Sequence, residues 1–401
     1  MRRAARLTLV VAVVIAALFG GATPGEAATP GRCQAGTLPH GALSLVCVPA
    51  RGWNRDLVVY AHGYVAPNEP IALPELALPD GAYLPDLVQR RGYAFATTSY
   101  RRNGLAVLEG VDDMIGLVSR FKSSVRPPRH TYATGASEGG LIVALLAERH
   151  PDLLTGALPV CGPIGDFRKQ FDHVGDFRIL FDHLFPGVLP PSPISVPPAD
   201  LDRWPSYAAA ISSAIAAHPS AAAQLISTSK AAIDPGDPSS VARTAGGLLW
   251  YHLVGTNDAV EKLGGNPFDN RSRWYWGSSN DVRLNIGVQR FAASPAALRN
   301  LARYQTSGEL KIPMVTLHTT GDEIVPYWHQ LLYLRKADTS HGGSLTPVPV
   351  FRYGHCNFTS REMLGAFGLL VWQSTGRRMP GVARFLAEHR APSGLPALPR
   401  R

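Results

Sequence analysis

Short apolar runs rich in β-branched and aromatic residues, each bounded by turn residues, recur at 57–61, 93–98, 131–134, 157–161, 314–318 and 349–353. Runs of this length with little polar alternation predict strands buried on both faces. Between several of them, 107–122, 141–149 and 327–336 carry apolar residues at helical spacing. Strand and helix in alternation predict an α/β fold: a mostly parallel, doubly wound sheet covered by helices on both faces, with right-handed crossovers.

The alternation stops between about 162 and 310. A Pro-rich stretch (186–198), an Ala-rich stretch (208–223) and the cluster Trp274, Tyr275 and Trp276 replace it. A structureless loop of that length is improbable inside a compact domain, so the segment predicts an inserted helical cap. Its aromatic residues would either line an apolar substrate pocket or form the cap's own core. The expected organisation is a core over 29–162, a cap over 163–310, the rest of the core over 311–390 and a loose Pro-rich tail over 391–401.

Within the cap, residues 165–174 are repeated almost unchanged at 175–184. The repeat brings Asp172, His173, Asp182 and His183 close in sequence. Ten residues along a helix rotate the second copy by roughly 80° from the first, so the two pairs would not share one metal cage. No metal or cofactor is expected.

Residues 1–28 have the layout of a secretory signal peptide. Arg2, Arg3 and Arg6 precede the apolar run 7–19, and small residues lead to Ala27 and Ala28. The adjacent Arg2 and Arg3 leave the export route open. The run is short for a membrane span of ~20 residues, and no later segment is long enough. The formal charge is +9. Removal of the leader's three arginines and one glutamate leaves about +7, and the basic residues form no stripe, which argues against nucleic acid as a partner. At 45% hydrophobic and 17% charged, the chain can bury a sizeable core.

Four cysteines in a secreted chain permit two disulfides in three connectivities. Cys33 and Cys47 are close enough to staple an N-terminal hairpin, and Cys161 would then pair with Cys356. Spacing of the C-x-x-C type is absent.

The candidate chemistry begins at Gly135-Ala136-Ser137-Glu138-Gly139, which follows the strand 130–134 and opens an apolar helix. That context fits a nucleophile elbow, where small residues let strand and helix approach and the helix N-terminus favours an oxyanion. A serine hydroxyl needs a base, and the base needs an orienting carboxylate. Asp322 follows the strand 313–318 in Gly321-Asp322-Glu323-Ile324-Val325-Pro326, and His355 follows the last strand in Tyr353-Gly354-His355-Cys356. All three lie just beyond carboxyl ends of parallel strands, where such sheets build their sites.

With these motifs the chain resembles the α/β-hydrolase superfamily over about 50–390, the cap being the least matched part. The resemblance implies Ser137 as nucleophile, His355 as base and Asp322 as the orienting acid, with Glu323 as the alternative acid. It implies backbone N–H donors from Glu138, which follows the nucleophile, and from Tyr64, which follows the strand ending in His62-Gly63. His62 would support the shape of that loop. No role follows for the Glu138 side chain. Cys356 beside the histidine resembles the tannase and fungal feruloyl esterase group, in which a disulfide ties nucleophile loop to histidine loop. Here Ala136, not cysteine, precedes Ser137, so Cys161 would have to supply the other half.

These readings predict a secreted enzyme that cleaves carboxylic esters through an acyl-enzyme, acting on a small-molecule ester or peptide-like substrate. A serine exopeptidase is the alternative, favoured if the cap presents an acidic pair to a free amine. A non-catalytic binding protein on the same fold is the third.

Overall fold

The computed structural model describes residues 28–339 and 341–389. The leader expected over 1–28, apart from Ala28, and the tail expected over 391–401 lie outside the described residues.

The chain opens with a hairpin of β1 (Cys33–Thr37) and β2 (Leu43–Cys47), whose ends are joined by the Cys33–Cys47 disulfide. It continues through β3 (Asp56–Ala61), α1 (Leu84–Gln89), β4 (Ala94–Thr98), α2 (Val107–Ser124), β5 (His130–Ala136), α3 (Glu138–Arg149) and β6 (Gly156–Val160). Seven helices then intervene: α4 (Phe167–Leu184), α5 (Pro198–Leu201), α6 (Trp204–Ala217), α7 (Pro219–Ser229), α8 (Ser240–Leu263), α9 (Asp281–Gly287) and α10 (Pro295–Leu301). The sheet resumes with β7 (Pro313–Gly321), α11 (Trp328–Lys336) and β8 (Ser344–Tyr353), and the chain closes with α12 (Ser360–Thr375) and α13 (Val382–Glu388).

The eight strands form one sheet in the order β1-β2-β4-β3-β5-β6-β7-β8. β1, β2 and β4 pair antiparallel, and every pair from β4 through β3 to β8 is parallel. Side chains alternate between faces along each strand. On β3, Leu57 and Val59 meet α2 and α3, while Val58 meets the opposite layer of α1, α12 and α13. Ala94 and Ala96 oppose Phe95 on β4 in the same way. Because both faces are covered, the strands read as nearly continuous apolar runs. Helix α12 starts at a capping box, in which Thr359 accepts from the Glu362 N–H and Glu362 returns a bond to the Thr359 N–H.

The inserted helices have a core of their own. Phe177 and Phe181 of α4, Ile211 of α6, Leu225 of α7 and Leu248 and Leu249 of α8 meet there. Ile324 and Val325, from the loop after β7, join the same cluster and fasten the insertion to the sheet's carboxyl edge. The ten-residue repeat forms one continuous helix, α4, and its copies do different work. In the first copy, Asp166 caps the helix by accepting from the N–H groups of Arg168 and Lys169. Its counterpart Asp176 sits inside the helix and pairs with Arg273.

Candidate active site

Ser137 stands between the end of β5 and the start of α3, at φ 57 and ψ −121. A non-glycine residue with positive φ is strained by roughly 1–3 kcal/mol and persists only where its surroundings impose it. Here the imposition comes from glycines. A Cβ on Gly139 would strike the carbonyl oxygens of Ala61 and His62, and one on Gly135 would strike the carbonyl of Gly139. Any larger residue would push helix α3 away from β3 and β5. The helix begins at Glu138, three residues earlier than its apolar pattern at 141 suggests, because the turn itself supplies the first helical residues.

Asp322 directly follows β7 and His355 lies two residues beyond β8, on the same edge of the sheet. His355 Nε2 is 2.8 Å from Ser137 Oγ, and His355 Nδ1 is 2.8 Å from Asp322 Oδ2 and 3.0 Å from Oδ1. Asp322 also accepts from the backbone N–H groups of Ile324 and Val325 at 3.0 and 2.8 Å. Its carboxyl is buried, which alone would raise its pKa. The neighbouring His355 and His318 outweigh that and hold it well below the carboxylate range. Burial pulls the His355 imidazole down, but Asp322, with help from Glu323, carries it above its usual value. Glu323 itself does not hydrogen-bond His355 Nδ1, and burial raises its carboxyl.

Two features here were not read from the sequence: the residue His318 and a role for the Glu138 side chain. His318, inside β7, sends Nε2 to the Val325 carbonyl at 2.7 Å and lies 3.4 Å from Asp322 Oδ2. Gln330 donates to its Nδ1, which fixes the proton on Nε2. The available signal was a histidine four residues ahead of the acid. The other is the Glu138 side chain, which accepts the Ala106 N–H at 3.0 Å. Burial pushes its carboxyl up to about 8, against the pull of the Ala106 bond and Lys262.

His62 is hydrogen-bonded within its own loop. Its Nδ1 meets the Gly63 carbonyl at 2.7 Å and its ring stacks on Tyr100 with centroids 3.9 Å apart. Gly63 passes so close to Ser137 that an added Cβ would lie 3.3 Å from Ser137 Cβ, which brings the following residue, Tyr64, to the site. Cys161, at the end of β6, is bonded to Cys356, with Cα atoms 5.4 Å apart. Cys161, His355 and Cys356 are also the one cluster of three potential metal donors among the described residues. Both sulfurs are spent in the disulfide and His355 faces Ser137, so the cluster offers no thiolate to a metal.

Beside Ser137 a cavity of about 150 Å³ runs between the sheet and the inserted helices. Tyr64, Ser137 and Glu138 border it, α4 contributes Phe167, Phe171 and Val174, and α8 contributes Tyr251, Gly255 and Ala259. Phe268, Ile324 and Val325 complete its apolar wall, and His355 is not among the lining residues. The cluster at 274–276 contributes nothing to it. Tyr275 is buried in the insertion, donating to Asp176, while Trp274 and Trp276 are more than half exposed, at 55% and 59%. The residues Asp172 and Asp182 bind Arg273 and Arg178, and His173 lies 3.0 Å from the Glu323 carbonyl oxygen.

No family model and no curated protein matches the sequence. Among solved structures, the chain is similar to an esterase from Aspergillus oryzae, at 11% identity over 86% of this chain and 80% of that one, with a TM-score of 0.48. It is similar to Pyrococcus horikoshii acylaminoacyl peptidase at 12% identity and a TM-score of 0.46. That match covers 90% of this chain but only 44% of the peptidase, so the chain spans less than half its length. The proline iminopeptidase of Mycobacterium smegmatis matches at 14% identity and a TM-score of 0.43, over 88% of this chain and all of that one. The sheet order, with β2 antiparallel and the remaining strands parallel from β4 to β8, decides the architecture. The fold is that of the α/β hydrolases. Ser137 stands at the strand-to-helix turn after β5, and the helical insertion sits between β6 and β7.

Proposed function

We propose that this protein is a secreted serine hydrolase that cleaves carboxylic esters through an acyl-enzyme. The observation that carries the reading is the chain of contacts from Ser137 Oγ to His355 Nε2 and from His355 Nδ1 to Asp322, each 2.8 Å, on a serine held at positive φ. In this reading Ser137 Oγ attacks the ester carbonyl carbon while His355 Nε2 takes its proton, and Asp322 stabilises the imidazolium. The tetrahedral oxyanion is held by the backbone N–H groups of Tyr64 and Glu138. The latter is the first residue of α3, where a helical N–H has no intrahelical acceptor. His355 then returns the proton to the departing alkoxide as the C–O bond breaks. A water, deprotonated by His355, attacks the acyl-serine; the bond from the acyl carbon to Ser137 Oγ breaks as His355 returns the proton to Oγ, and the acid is released.

Secretion is supported by the leader-like layout of residues 1–28 and by the two disulfides. No helix among the described residues is long and apolar enough to cross a membrane. The ester reading is preferred to an exopeptidase because the lining of the cavity carries one acidic residue among the described residues, Glu138. Its carboxyl is engaged by the Ala106 N–H, and burial pushes it up to about 8, so it is mostly protonated at neutral pH and a poor anchor for an ammonium group.

The test is hydrolysis of p-nitrophenyl acetate and labelling by a fluorophosphonate, with Ser137→Ala expected to lose both. Full turnover in Ser137→Ala would sink the assignment, and turnover of aminoacyl anilides far above esters would favour the exopeptidase.

A further inference from the structure

The geometry points to the cavity beside Ser137 as an acyl pocket that selects a medium-length apolar acyl group, an unbranched chain of about six carbons or a single phenyl ring. The inference rests on the hydrolase reading and adds to it which half of the ester the cavity takes and how large that half is.

The assignment to the acyl half follows from which residues border the space. In the tetrahedral adduct the carbonyl carbon is bonded to Ser137 Oγ and its oxygen faces the donors at Tyr64 and Glu138. The leaving oxygen must face His355 Nε2, which protonates it. The cavity is bordered by Ser137, Tyr64 and Glu138 and not by His355. The alcohol therefore departs on the histidine side, and the cavity receives the carbon chain on the other side of the carbonyl.

Size and chemistry follow from its walls. An apolar cavity of about 150 Å³ is the size that accommodates one benzene ring. Phe167, Phe171, Val174, Ala259 and Phe268 supply apolar surface. Three of the polar side chains beside them are engaged with protein, while the Tyr64 hydroxyl is buried without a hydrogen-bond partner. Gln170 donates to the Ile324 carbonyl and its oxygen lies 2.9 Å from His329 Nε2, Thr256 donates to the His252 carbonyl, and Asn266 donates to the Phe268 and Ala292 carbonyls. A charged or polyhydroxylated acyl group would find few partners to replace its water.

The ten-residue repeat explains how one helix makes both this wall and a core. Phe167 and Phe171 of the first copy correspond to Phe177 and Phe181 of the second. The rotation between copies turns the first pair to the cavity and the second into the insertion's core.

The experiment measures kcat/KM for p-nitrophenyl acetate, butyrate, hexanoate, octanoate and laurate, and for acetates of alcohols of increasing length. Each methylene buried in the pocket is worth about fourfold. Hexanoate is expected to exceed acetate by at least about tenfold, laurate to fall below hexanoate, and alcohol length to matter little. Ala259→Phe, which fills the pocket, should lower the hexanoate-to-acetate ratio at least about tenfold, and Phe171→Ala should raise the laurate-to-hexanoate ratio. Opposite shifts in two variants that still label with fluorophosphonate exclude misfolding as the cause. A flat acyl series, a length dependence that follows the alcohol, or unchanged ratios in both variants would overturn the acyl assignment with hydrolysis intact. Absence of turnover and labelling towards every ester would instead overturn the hydrolase reading, and this inference with it.

Discussion

His318 Nε2 lies 3.4 Å from Asp322 Oδ2, so the carboxylate that meets His355 has a second imidazole on it. Both His318 and Asp322 are fully buried, and Gln330 holds His318 from behind while itself accepting from Thr316. In the proposed mechanism His318 would be a positioning residue, acting through the acid, whose orientation and charge fix the tautomer of His355. Hydrogen bonds to charged groups are worth about 1.5–3 kcal/mol. His318→Ala should therefore lower kcat about 10- to 100-fold with KM nearly unchanged, because the imidazolium forms only after substrate binds. Steady-state kinetics on one p-nitrophenyl ester would check it; a rise in KM with kcat intact would show that His318 serves substrate binding instead.

The disulfide from Cys161 to Cys356 joins the end of β6 to the residue after His355, and both cysteines have positive φ, 44 and 50. With those conformations unfavourable for side chains other than glycine, the cross-link helps hold the histidine loop in its shape. The double variant Cys161→Ala/Cys356→Ala should lose about 2–5 kcal/mol of stability. It should also lose kcat at temperatures where the fold is still intact by circular dichroism. Unfolding curves together with turnover would separate the two effects, and unchanged kcat in a folded, destabilised double variant would reduce the bridge to a staple.

The sheet and the three residues of the proposed triad were legible because their signals are local. Val58 and Phe95 face one helical layer while their strand neighbours face the other, so burial on both sides leaves apolar runs that any window detects. Ser137, Asp322 and His355 each sit in a short motif directly after such a run. What stayed hidden depends on contacts remote in sequence. Nothing near Glu138 signals that its carboxyl meets Ala106, 32 residues away, and nothing near Gln170 signals its bond to Ile324, 154 residues away. The aromatic cluster at 274–276 drew attention by composition. The cavity instead takes its rings from α4, from Tyr251 of α8 and from Tyr64 and Phe268, placed by the fold rather than by abundance.

Glu138 gives the last prediction, because its two ends do different things. Its N–H belongs to the proposed oxyanion site, while its side chain accepts from Ala106 at the start of α2. Burial holds the carboxyl up at about 8, against an ordinary 4.5. Between those two pH values the folded chain keeps a proton that the unfolded chain has released, so the unfolding free energy falls as pH rises. The contribution is complete below about pH 4.5, declines through neutral pH and is lost as pH passes about 8. Glu138→Gln keeps an oxygen for the Ala106 N–H but cannot ionise. The variant should therefore gain stability relative to the parent steadily from pH 5 to pH 8, and the difference should level off above about 8. Urea unfolding of both proteins across that range measures it. A difference that does not change with pH would mean that the carboxyl ionises in the folded protein as it does in water, and that the Ala106 bond is made to a carboxylate.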